Sequence, residues 1–82
     1  MPVAKTINPD RAPAWKARRV ALGRRIRALR EERGLTQEAL ALEADLSRNM
    51  IIYIEAGRHG ILAERLGDIA EVLGVEPADL LK

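Results

Sequence analysis

The sequence predicts an all-α domain of five helices joined by short links, with a basic N-terminal extension. Three observations predict it. Apolar residues recur three and four positions apart along most of the chain, which is the period of one helix face. Gly34, Gly57 and Gly74 close the periodic segments, while Thr36 and Ser47 open two of them, the chemistry of helix ends and starts. No segment alternates apolar and polar residues as a half-buried strand does.

Residues 1–12, "MPVAKTINPDRA", carry two prolines and no period, so they are expected to form an arm. Pro13 suits the first turn of a helix, with Asp10 nearby to favour its positive end. Trp15, Leu22, Ile26 and Leu29 then share a face up to "EERG". Gly23 weakens the middle of this helix, so the part before it is expected to fray or to stand apart. Residues 1–19 are accordingly divided off as a basic arm or helix extension from a domain spanning 20–82. Thr36 caps "QEALALEA", with Leu40, Ala41 and Ala44 on one face. Asp45 and Leu46 make a very short link, and Ser47 caps "RNMIIYIE" ahead of Gly57. The next helix repeats the pattern through Leu62, Leu66, Ile69, Ala70 and Leu73, and Pro77 opens a last short piece with Leu80 and Leu81.

Composition bounds the function. The chain has 82 residues, 32% charged and 48% hydrophobic, the balance of a single soluble domain. It contains no Cys, which suits a reducing cytoplasm. No apolar run approaches the roughly 20 residues that span a bilayer, so no membrane association is expected. One isolated His, His59, and no phosphate-cradling Gly-rich loop leave nothing on which to build a catalytic or metal site. The chain is read as a non-enzyme, with no cofactor and no metal. The net charge of +2 conceals a split: residues 1–30 hold nine Lys or Arg against Asp10 alone, and residues 31–82 hold five against eleven acids. Segments of +8 and −6 point to a polyanion met from one side, or to a solvated basic tail.

The informative unit runs from Thr36 to Ala56. Two helices of about eight residues with a link of about three are forced to cross, the helix-turn-helix arrangement. The second helix of such a pair can enter a DNA major groove. Its sequence here, "SRNMIIYIEAG", is unusual for carrying Met50, Ile51, Ile52, Tyr53 and Ile54 in an unbroken run. Over residues 22–74 the pieces "RGLTQEALA", "LSRN..I..IE.G" and "IAEVLGV" resemble the lambda-repressor-like (Xre-type) helix-turn-helix family. That resemblance implies a compact five-helix fold that binds double-stranded DNA, as a rule as a homodimer regulating transcription. A protein-interaction module on the same fold, antitoxin-like or a scaffold for a protein partner, is the alternative, favoured by the grease at Met50 and Ile52.

The resemblance also assigns roles. Leu40, Ala41, Ala44, Leu46, Ile51 and Ile54 match buried positions. Gln37 matches a residue that contacts phosphate and buttresses the reading helix. Arg48, Asn49 and Tyr53 match groove-facing positions, with Ile52 beside them; Arg suits guanine, Asn adenine, and an apolar side chain the thymine methyl. Arg30 and Glu55 match a structural ion pair, and Arg58 a basic loop residue near the DNA backbone. Four features depart from the pattern: Asp45 where Gly is usual, Gly60-Ile61 in place of Asn-Pro, apolar Met50 and Ile52, and the basic extension. Lys5, Arg11, Lys16, Arg18 and Arg19 of that extension are expected to add phosphate contacts or reach a minor groove. Its competing use, through Trp15, is to cover the core or a partner subunit. Leu80, Leu81 and apolar residues around Ile61 are the expected dimer surface.

Overall fold

The computed structural model describes residues 11–82. Lys5, Asp10 and the rest of residues 1–10 lie outside the described residues. Among the described residues four α-helices follow one another: α1 (Ala12–Glu32), α2 (Gln37–Glu43), α3 (Arg48–Glu55) and α4 (Ala63–Leu73). The expected fifth helix is instead a 3-10 turn, Pro77–Leu81. Five residues give an α-helix almost no i to i−4 bonds, and the tighter 3-10 geometry suits pieces this short. Glu76 and Asp79 close its start reciprocally as a capping box.

The starts of α2 and α3 follow from side-chain caps. Thr36 accepts from the Ala39 amide at 3.0 Å, and Ser47 from the Met50 amide at 3.0 Å. The ends share one device. After each α-helix a backbone amide reaches back five residues: Leu35 to Arg30, Leu46 to Ala41, Arg58 to Tyr53 and Val75 to Ala70, at 2.8–3.0 Å. Closing this loop requires a left-handed residue. Gly34, Gly57 and Gly74 supply it, and after α2 it is Asp45, at φ 56°. Asp is among the few non-glycine residues that tolerate this geometry.

The core joins all four helices and the 3-10 turn. Ile26, Leu40, Ile51, Ile54, Ile69, Leu73 and Leu80 are its largest fully buried side chains. Leu80 is 1% exposed, so it belongs to this core and is withdrawn from the expected dimer surface. Leu62 also departs from expectation. It is the extended residue before α4 and is 68% exposed, because the helical period that would turn it inward begins only after it.

Gly23 is the largest departure. Helix α1 runs unbroken across it and across the 19–20 division, and Gly23 is buried. A Cβ there would stand 2.3 Å from the Ile54 carbonyl oxygen and 2.7 Å from that of Glu55. The residue that local propensity reads as a weak point is where α1 crosses the last turn of α3, backbone against backbone.

Candidate nucleic-acid interface

Helix α3 has two faces with different duties. Ile51 and Ile54 lie in the core at 0% and 1% exposure. Met50 is half-buried and packs against the core edge. Arg48 and Asn49 are exposed in the first turn, directly after the Ser47 cap. Ile52 is half-buried, and Tyr53 stands partly outward with its ring centroid 5.5 Å from that of His59. The outer face therefore presents a guanidinium, an amide, an aliphatic and a phenol.

The C-terminal end of α3 is held by a buried polar cluster. Arg30 Nε donates to Glu55 Oε2 at 2.6 Å and Nη2 donates to Oε1 at 3.0 Å, a two-pronged pairing. A third Arg30 bond, from Nη1, goes to the Leu35 carbonyl at 2.8 Å. Gln37 Nε2 donates to Glu55 Oε1 at 3.2 Å, tying the start of α2 to the same carboxylate. The hydrogen-bonded Glu55 carboxylate raises the Arg30 pKa above its ordinary value, against the opposing effect of burial. One carboxylate thus fixes α1, α2 and α3 to one another.

Arg65 holds the turn between α2 and α3 from the other side. Its guanidinium pairs with Asp68 at 2.8 Å and donates to the backbone carbonyls of Ala44 and Asp45. Sequence reasoning missed this role. The spacing of Arg65 and Asp68 signals a surface pair, but nothing local points to carbonyls twenty residues earlier.

The structure gathers only some of the expected basic residues. Gln37, Arg48, Asn49, Ile52 and Tyr53 belong to the helix-turn-helix, and the exposed Arg58 follows Gly57 on the loop after α3. Arg19 joins that loop, since its Cδ would lie 3.9 Å from a Cβ on Gly60. Arg18 does not. It lines a groove of about 270 Å³ with Leu22, Leu80, Leu81 and Lys82, on the flank of α1 that meets the 3-10 turn. Adjacent residues on a helix point about 100° apart, which separates two side chains that charge alone had grouped.

With this geometry in view, residues 23–82 match the helix-turn-helix domain family. The chain belongs to the lambda-repressor-like helix-turn-helix family. It is similar to the control protein C.BamHI of Bacillus amyloliquefaciens, 38% identical over 64 residues that cover 77% of this chain and 79% of that one. It is also similar to the immunity repressor protein of Bacillus phage phi105, 40% identical over 57 residues, and that match covers 70% of this chain but only 40% of the repressor. Among solved structures it resembles the restriction-modification controller protein C.AhdI from Aeromonas hydrophila. The TM-score there is 0.76 at 34% identity, over 78% of this chain and 97% of that one. Two departures from the helix-turn-helix pattern now have a physical setting. Asp45 occupies the left-handed turn position, and Met50 packs on the core beside a groove of about 230 Å³ lined by Leu46, Ile61 and Leu62.

Proposed function

We propose that the chain regulates transcription by binding double-stranded DNA sequence-specifically, with α3 in the major groove. One observation carries this reading: α3 buries Ile51 and Ile54 while its opposite face offers Arg48 and Asn49 next to Ile52 and Tyr53. These are the donor, acceptor and apolar groups that match base edges. Arg48 suits guanine, Asn49 adenine, and Ile52 a thymine methyl. Gln37 and Arg58 bracket the helix and suit phosphate contacts, which set register without reading sequence. The relatives support this reading, being control, controller and immunity repressor proteins by name.

A two-fold dimer is part of the proposal, because half-sites about one helical turn apart are the geometry such readers use. The apolar groove of Leu46, Met50, Ile61 and Leu62, with Leu62 outermost, is the surface best suited to the partner subunit. The same groove favours the second reading, a protein-interaction module.

Selection from a random DNA pool, followed by Asn49→Ala, tests the function. The variant is expected to lose about 1–3 kcal/mol and to relax preference at one base position. Equal loss on every sequence would make Asn49 a backbone contact. No enriched motif at all would favour the interaction module.

A further inference from the structure

We propose that Arg19, with Lys16 one turn before it and Arg58 on the facing loop, forms a DNA-phosphate site at the C-terminal end of the reading helix. The inference rests on α3 being the DNA-reading element and adds a second anchor to it, built by α1.

Arg19 differs from the other arginines that this fold shields from solvent. Arg30 binds Glu55, and Arg65 pairs with Asp68. Arg19 is half-buried, yet its Nε lies buried without a hydrogen-bond partner among the described residues. A shielded guanidinium donor is normally satisfied, and an orphan signals a missing acceptor.

The surroundings identify the acceptor as anionic. Val20 packs against Gly57, where a Cβ would meet Val20 Cγ2 at 2.7 Å, and the Arg19 stem lies against Gly60. These contacts hold α1 against the loop that leaves α3, with the Arg19 stem alongside Gly60. Among the described residues no carboxylate pairs with Arg19, Lys16 or Arg58. Lys16 is exposed and sits one turn from both Arg19 and Val20, so it shares their side of the helix. No backbone carbonyl of the described residues accepts from the amides of His59 or Gly60. Arg19 and Arg58 therefore meet the same loop, beside the amides of His59 and Gly60, and Lys16 lies one turn away on the same side of α1. A phosphodiester satisfies such a set, and guanidinium geometry matches its paired oxygens. Arg18, on the other flank, is not part of it.

The test uses the full chain on its selected operator and on a random duplex, with binding measured across a salt series. Each neutralised phosphate contributes about 0.9 to the log–log salt slope of B-DNA binding. Arg19→Gln is expected to flatten the slope by about that amount per subunit and to weaken both duplexes equally. Arg19→Lys should restore most of the slope. Replacing the contacted phosphate by an uncharged methylphosphonate should weaken the wild type but not Arg19→Gln. Should Arg19→Gln fail to fold, Lys16→Gln carries the same test from an exposed position. Unchanged slopes for these variants, with Asn49→Ala still relaxing base preference, would overturn this site and leave the reading helix standing. A loss of thermal stability without a slope change would make Arg19 structural and would also overturn it. If Asn49→Ala changes nothing either, the DNA-reading proposal itself fails.

Discussion

Replacing Gly23 by Ala sets two physical effects against each other at one atom. In a helix interior, Ala is more favourable than Gly by about 1 kcal/mol. At Gly23, however, the new methyl would stand 2.3 Å from the Ile54 carbonyl oxygen and 2.9 Å from the Glu55 carbonyl carbon. An ordinary carbon–oxygen approach is about 3.3–3.6 Å, so α1 and α3 must separate by roughly an ångström. The atoms in the way are backbone, and no rotamer change relieves them. Overpacking of this kind costs about 1–3 kcal/mol and occasionally more, and a gap near 1 Å forfeits a quarter to a half of the dispersion across the contact. Taking the top of that range against the helical gain leaves a net loss of about 2 kcal/mol. For a domain this size that lowers Tm by roughly 8–16 °C.

Gly67 is the matched control. It lies inside α4 with nothing within 4 Å of its would-be Cβ, so Gly67→Ala should gain about 0.5–1 kcal/mol. Urea titration followed by circular dichroism reads both variants. The midpoints should move in opposite directions with unchanged m-values. A Gly23→Ala protein as stable as wild type would refute the close crossing of α1 and α3.

The Glu55 cluster and the α2–α3 turn give two further expectations. Glu55→Ala leaves the Arg30 charge buried with only the Leu35 carbonyl for company, at a cost of about 3–5 kcal/mol. Thermal melting should show it, and the paired replacement Arg30→Met with Glu55→Leu should lose far less; equal losses would mean the charge is not buried. Asp45→Gly should gain about 0.5–1 kcal/mol, since a left-handed side chain is relieved. A loss in chemical denaturation would show that the Asp45 side chain supports the turn.

The local chemistry of this fold is written in the chain. Thr36 and Ser47 mark the starts of α2 and α3 because a side-chain oxygen caps amides three residues away, an interaction that needs no tertiary partner. Gly34, Gly57 and Gly74 mark helix ends for an equally local reason, their positive φ. The inward stripe of α3 was legible too, because Ile51 and Ile54 sit at helical spacing and both are buried. Proline and paired leucines suggested a fifth helix, but with only five residues the backbone closes as a 3-10 turn.

The rest depends on what each element meets. Local propensity makes Gly23 a break, and only the crossing of α3 makes it a requirement. Net charge groups Arg18 with Arg19, whereas the helix turns one toward the 3-10 segment and the other toward the loop after α3. Leu62 and Leu80 carry the same side chain, yet one is 68% exposed and the other 1%. The "MIIYI" run behaves the same way. Sequence determined that it is a capped helix with more grease than one stripe needs. The packing of α1 and α2 decided that Ile51 and Ile54 face inward, that Met50 seals an edge, and that half-buried Ile52 lies beside the outward Tyr53. Helix ends are fixed by bonds within a few residues. A side chain's exposure is fixed by contacts from residues distant in the chain, which become neighbours only when the chain folds.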